Sequence, residues 1–209
     1  MTKGDDVSDD PDLAALLGSR ICHDLISPLG AIGNGVELLM LDGGAARPEV
    51  ALIAQSVASA QARIRFLRVA FGVSGGEQRM GRPEILGLLR DWTDGGRLAV
   101  DWQVTGDLPR AEVRRAFLAL LCLESALPFG GTIRVGREGP VWTAQAAGRR
   151  LKVEPGLWAL LTDAAAAQAL TAPQVQFGLL RRELMNGPGP ARVDVGETAL
   201  DLAWGPGAA

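Results

Sequence analysis

The sequence predicts an α+β protein: an N-terminal helical hairpin, expected to pair with a second copy as a dimeric four-helix bundle, followed by an α/β sandwich domain. Three observations carry that reading. Two long stretches, 12 to 41 and 48 to 72, repeat apolar residues at helical spacing. Gly72-Val73-Ser74-Gly75-Gly76-Glu77-Gln78 interrupts them with a glycine-rich, aperiodic linker. Beyond Met80 the pattern changes to strands mixed with shorter helices.

The first eleven residues are polar and rich in Asp, too poor in apolar surface to offset the entropy of ordering, so a disordered tail is expected over 1–11. Asp10-Pro11-Asp12 then reads as a helix start, with Asp10 as N-cap, Pro11 as first helical residue and Asp12 favourable beside the helix N-terminus. The helix runs to about Leu41, where Asp42-Gly43-Gly44 stops it, because glycine accepts the left-handed backbone that ends helices. Leu17, Ile21, Leu25, Leu29, Ile32, Val36 and Leu39 gather on one stripe. Pro28 removes one backbone hydrogen bond, nominally to the carbonyl of Asp24, and predicts a kink there.

A second helix begins at Pro48-Glu49, with Val50, Ile53, Val57, Ala60, Ile64, Leu67 and Phe71 alternating three and four as in a bundle seam. The short connection makes the pair an antiparallel hairpin. Two helices cannot bury two such stripes alone, and a second copy is the simplest closure. Arg63, Arg65 and Arg68 fall outside the seam, as solvated surface or a docking patch.

In the second domain, expected over 80–205, the pattern predicts helices at 83–93, 109–126, 156–162 and 172–186. Strands are expected at 97–104, 131–136, 140–147 and 149–154, and a closing hairpin joins 191–195 to 198–204 through Gly196. The hairpin domain occupies 12–72 and the linker 73–79.

Composition narrows the function classes. The net charge of −3 resides in the tail: Asp5, Asp6, Asp9, Asp10 and Asp12 against Lys3 give −4, leaving the remainder at +1. That lacks the basic footprint of a nucleic-acid binder. Cys22 and Cys122 are far apart and belong to no CxxC pair or Cys/His cluster, so neither a disulfide framework nor a metal site is indicated. No apolar run approaches a membrane span, and the N-terminus is acidic where a signal peptide is basic. A soluble, cytoplasmic protein is expected, with no membrane and no nucleic-acid partner.

The candidate site lies around the only histidine, His23, in Arg20-Ile21-Cys22-His23-Asp24-Leu25-Ile26-Ser27-Pro28. At about 100° per residue His23 falls almost opposite the apolar stripe. Ser19, Ser27, Gly30 and Asn34 share its face, small enough to let another protein approach the imidazole. Imidazole is largely neutral near pH 7, with an ordinary pKa of about 6.5, and supplies a nucleophilic nitrogen. Asp24 is either an orienting group and proton acceptor for that ring or a surface acid. Ser27 is either a phosphoryl contact or merely small, and Asn34 either a partner contact or surface polarity. Cys22 beside His23 offers too few ligands for a metal.

His23-Asp24-Leu25-Ile26-Ser27-Pro28-Leu29 resembles the H-box of histidine kinases, in which a phosphoacceptor histidine precedes an acid and, five residues on, a proline. Continued through Gly30-Ala31-Ile32-Gly33-Asn34-Gly35-Val36-Glu37-Leu38-Leu39 it is similar to the ChpT family of histidine phosphotransferases, and Leu127-Pro128-Phe129-Gly130-Gly131 extends the likeness weakly. The resemblance implies a dimerising phosphotransfer hairpin and a degenerate histidine-kinase-like (Bergerat-type) α/β sandwich. It departs from the kinase pattern in the second domain. The stretch 109–126 contains no Asn to hold Mg²⁺, with Glu124 and Ser125 near where one is expected, and Ala144-Gln145-Ala146-Ala147-Gly148 keeps one glycine and no acid of the adenine-binding box. Nor is there a GxxxxGK[ST] loop.

The implied function is a relay without ATP. His23 is the phosphoacceptor between the receiver domain of a hybrid histidine kinase and response-regulator receivers that control the cell cycle. Asp24 orients or acts as base, Ser27 contacts the phosphoryl group, and Ser19, Arg20, Ser27, Gly30 and Asn34 meet the partner. This chain binds no cofactor or metal of its own, and Mg²⁺ is expected from the receiver. An ATP-dependent histidine kinase and a non-catalytic dimeric receiver-binding adaptor are the alternatives.

Overall fold

The structure, a computed structural model, describes residues 13–41, 48–72 and 78–208, and within the first helix not the side chains of 13–17, 19–24, 27 and 28. The acidic tail, the Asp10 cap, the Asp42-Gly43-Gly44 stop and most of the linker lie outside the described residues. The chain divides into two compact units, Met1–Gly75 and Gly76–Ala209.

The first unit is two helices, α1 (Leu13–Leu41) and α2 (Pro48–Phe71). Proline at the first position of α2 gives up a hydrogen bond that no first-turn residue makes, and Glu49 faces the positive helix end. A Cβ on Gly18 would stand 3.1 Å from Phe71 Cβ, and one on Gly33 3.5 Å from Val57 Cγ1. Between these points Gln61 Nε2 donates to the carbonyl of Leu29 at 3.0 Å. Contacts pair 18 with 71, 29 with 61 and 33 with 57, stepping in opposite directions as an antiparallel hairpin requires.

Burial on the hairpin departs from the expected stripes. On α2 the buried residues are Val57, Ala62, Phe66, Val69 and Ala70, so of the expected seam only Val57 is buried. Ile53 is 48 % exposed, and Leu25, Ile32 and Leu39 of the α1 stripe are 46 %, 50 % and 59 % exposed. A two-helix pair has one mutual face; apolar residues off that face stay in water unless something further covers them.

The second unit is a mixed α/β assembly. It comprises β1 (Arg79–Met80), α3 (Arg82–Thr93), β2 (Leu98–Trp102), β3 (Leu108–Pro109), α4 (Arg110–Ala126), β4 (Gly131–Glu138), β5 (Val141–Ala147), α5 (Pro155–Thr162), a 3₁₀ turn (Ala172–Gln174), α6 (Val175–Met185), β6 (Arg192–Val195) and β7 (Ala199–Trp204). Five strands form one sheet in the order β2-β4-β5-β7-β6, antiparallel except for the parallel β2–β4 pair, and β1 with β3 makes a separate two-strand ladder. That ladder, and the parallel pair closed through α4, were not anticipated by the periodicity. The strand expected at 149–154 is absent. β4 and β7 already occupy both edges of β5, and after Gly148 the chain leaves the sheet, its Lys152 N–H donating to the carbonyl of Ala126 at 3.0 Å.

Alternation along the strands sorts the two sheet faces. Trp102, Ile133, Val135, Trp142, Ala144, Ala146, Leu200, Leu202 and Trp204 are buried. Asp101, Arg134, Gln145, Asp201 and Asp194 occupy one register line across the other face. α4 is buried along most of its length and packs against β5 and α6. Trp142 and Trp204 stack at 5.7 Å, with Trp102 tilted against Trp142 at 5.7 Å. Arg114 of α4, 4 % exposed, is paired with Glu183 of α6. The guanidinium of Arg181 donates to the carbonyls of Leu160, Asp163 and Ala164, closing the orphan end of α5.

Candidate functional site

Every site residue named from the sequence lies in α1, which runs unbroken past Pro28. The side chains of Ser19, Arg20, His23, Asp24 and Ser27 are outside the description, so their place is that of their backbone on the helix. Gly30 and Asn34 are described. A Cβ added at Gly30 would meet nothing within 4 Å, and Asn34 is exposed. Helical geometry puts positions 23 and 30 about 20° apart around the axis, so the two share a face. Leu29 and Gly33, which touch α2, lie about 120° and 80° away from position 23. The face carrying position 23 is therefore not the face that packs on α2. By the antiparallel register, position 23 is level with the turn of α2 around Phe66 and Leu67.

In the second unit, Ser125 on α4 donates its hydroxyl to the carbonyl of Cys122 at 2.6 Å. It borders a cavity of about 200 Å³ together with Lys152, Glu154, Trp158, Gln174 and Phe177. Trp158 and Phe177 meet edge to face at 5.2 Å. Glu154 is engaged by its neighbours, accepting from Gln174 Nε2 at 3.3 Å and pairing with Lys152 at 3.4 Å. Cys122 is fully buried, which pushes its thiol well above the ordinary range and suits it to packing rather than nucleophilic chemistry. Among the described residues no three His, Cys, Asp or Glu side chains converge as metal ligands, and no helix is long and apolar enough to cross a membrane.

Sequence reasoning missed one cluster. Arg97, Phe129, Arg149 and Arg150 surround a second cavity, drawn from three separate chain segments. Only the adjacent Arg149-Arg150 pair and the surrounding glycines signalled it, and nothing in the linear order joined them to Arg97.

Comparison with known proteins adds the family. Residues 82–197 match the model of the histidine phosphotransferase C-terminal domain. The chain is 37% identical over 210 residues to the protein phosphotransferase ChpT of Brucella abortus (strain 2308), covering 92% of this chain and 94% of that one. A solved bacterial phosphotransferase superposes with a TM-score of 0.68 at 28% identity, covering 94% of this chain and 97% of its own. A histidine kinase domain from a blue-light-activated kinase of Erythrobacter litoralis gives a TM-score of 0.42 at 14% identity, with 93% of each chain covered. On the family model and the extent of identity together, this chain belongs to the ChpT-type histidine phosphotransferases.

Proposed function

We propose that the chain relays a phosphoryl group between receiver-domain aspartates, from a hybrid histidine kinase to response regulators of the cell cycle, by way of a phosphohistidine at His23. Membership of the family makes it a phosphotransferase. The observation that most supports the relay is the open helix face at Gly30 and Asn34, about two and three turns beyond His23 and distinct from the face that touches α2. Phosphoryl transfer needs an in-line nucleophile, positioning and charge stabilisation. A nitrogen of His23 attacks the phosphorus of an aspartyl phosphate: the P–N bond forms, the P–O bond to the donor carboxylate breaks, and the imidazole proton is released. The acceptor aspartate reverses these steps. Asp24 orients the ring or takes that proton, Ser27 contacts a phosphoryl oxygen, and Ser19, Arg20, Gly30 and Asn34 line the docked surface. Mg²⁺ belongs to the receiver, and the second unit is a degenerate kinase-type sandwich.

The lack of an Asn on α4 and of the acid of the adenine-binding box supports a reading without ATP as donor. Mixed with a phosphorylated receiver, the chain is expected to acquire acid-labile phosphate at His23. With labelled ATP and Mg²⁺ alone it is expected to acquire none. Label from ATP alone would make it an autokinase, and receiver binding without transfer would make it an adaptor.

The relay unit is a homodimer in this proposal. The exposed Leu25, Ile32, Leu38, Leu39, Leu52 and Ile53 leave apolar surface that a second hairpin covers in a four-helix bundle. Placing a charge in that seam, as Ile64→Glu, is expected to convert a dimer into a monomer by light scattering at micromolar concentration. An unchanged dimer mass would place the interface elsewhere.

A further inference from the structure

Two close approaches between α1 and α2 bracket the stretch that carries His23. Five residues before the histidine, a Cβ on Gly18 would stand 3.1 Å from Phe71 Cβ. Six residues after it, Gln61 Nε2 donates to the carbonyl of Leu29 at 3.0 Å. The interval from 18 to 29 spans about 16 Å of helix and contains Pro28, which has no N–H for the carbonyl of Asp24. One helical hydrogen bond is therefore missing just beyond His23, and Gln61 grips the residue that follows the gap. Gly33 makes room for that grip. A helical side chain leans over the turn before it, so a side chain at 33 would lie over Leu29. A Cβ there would stand 3.2 Å from the Gln61 amide nitrogen. Without one, the Leu29 carbonyl keeps a second lone pair open to the side, beyond the one that takes the N–H of residue 33.

We propose that Gln61 is a positioning residue for transfer at His23, its amide pinning the turn after Pro28 and so fixing the rotation and height of the helix face that carries the histidine. This role presupposes the relay through His23. Apolar contacts, such as Val57 beneath Gly33 and the fully buried Phe66 level with position 23, hold the two helices together but are non-directional. A hydrogen bond is directional, weakening steeply as its angle closes. In-line attack on phosphorus tolerates little displacement, since a misplacement of about 1 Å costs on the order of 10²-fold in rate. The effect of Gln61 is carried by the backbone of α1, through Leu29, rather than by contact with the transferring group. A contact that only glued the hairpin together would alter stability and leave the rate within the docked complex unchanged.

The test is single-turnover transfer from a phosphorylated receiver to the full chain, read as a saturating rate and a half-saturating receiver concentration. Gln61→Leu and Gln61→Ala remove the donor with and without its bulk. Each is expected to lower the saturating rate about ten-fold while the half-saturating concentration stays within about two-fold. Gly33→Ala reaches the same bond from α1 and is expected to lower the rate about three-fold or more in the same way. In a Gln61→Ala background, where the amide is gone, Gly33→Ala is expected to change the rate less than about two-fold. Urea denaturation establishes that each variant folds, and His23→Ala gives the background rate. Folded Gln61 variants that transfer at the parent's rate overturn the proposal. So does a loss that appears in the half-saturating concentration instead, which would make Gln61 part of the docking surface. Losses that multiply in the double variant overturn it too, because independent packing defects behave that way. A parent chain that accepts no phosphate defeats the relay itself, and the role of Gln61 with it, before any variant is compared.

Discussion

His23→Ala is expected to bring phosphoryl transfer from a phosphorylated receiver down to background, a loss on the order of 10³-fold or more, because the variant retains no nitrogen to form the P–N bond. Binding of the receiver is expected to survive, since the imidazole is one side chain within a face that extends through Gly30 and Asn34. Quench-flow transfer and a separate binding isotherm distinguish the two effects. Asp24→Asn is expected to cost less, roughly 10- to 100-fold in rate with little change in affinity, as the loss of an orienting or proton-accepting group does. Transfer that persists in His23→Ala would place the phosphoacceptor on another side chain and defeat the proposed mechanism.

The second large effect concerns stability. Arg114→Ala is expected to destabilise the second unit by about 3–5 kcal/mol, read from urea denaturation, because it strands the Glu183 carboxylate inside the α4–α6 packing. The Coulombic attraction in this pair repays the cost of removing both charges from water only while both remain. Replacing both partners with apolar residues of similar volume, Arg114→Met with Glu183→Leu, is expected to recover most of that loss. If Arg114→Ala cost less than about 1 kcal/mol, the pair would be behaving as a solvated one, like the exposed Arg134–Asp101 pair at 3.2 Å on the outer sheet face.

Helices were legible because their signals are local. Pro48 with Glu49 marks the start of α2, and the spacing of apolar residues set its extent to within a residue. α4 was legible from Pro109 and Glu112 for the same reason. The stretch 149–154 misled because Leu151, Val153 and their polar neighbours alternate like a strand. Alternation reports that a segment suits a sheet, and whether a sheet edge remains free is decided by strands elsewhere in the chain. The mutual face of the hairpin was not legible for a related reason: seven apolar residues on a seam specify what is to be buried, but a single neighbour buries only the side it touches.

By itself, then, the sequence determined the two-part organisation, the order of helices and most strands, and the one histidine that the proposed chemistry requires. Those follow from periodicity, capping and a contiguous motif, all short-range properties of the chain. Only the tertiary structure decided the parallel β2–β4 pair, the burial of Arg114 against Glu183, and the open face at Gly30 beside the packed one at Gly33. It also brought Arg97, Phe129, Arg149 and Arg150 to one corner. Each of these joins residues far apart in the chain, and their meeting is set by which surfaces pack rather than by any local spacing.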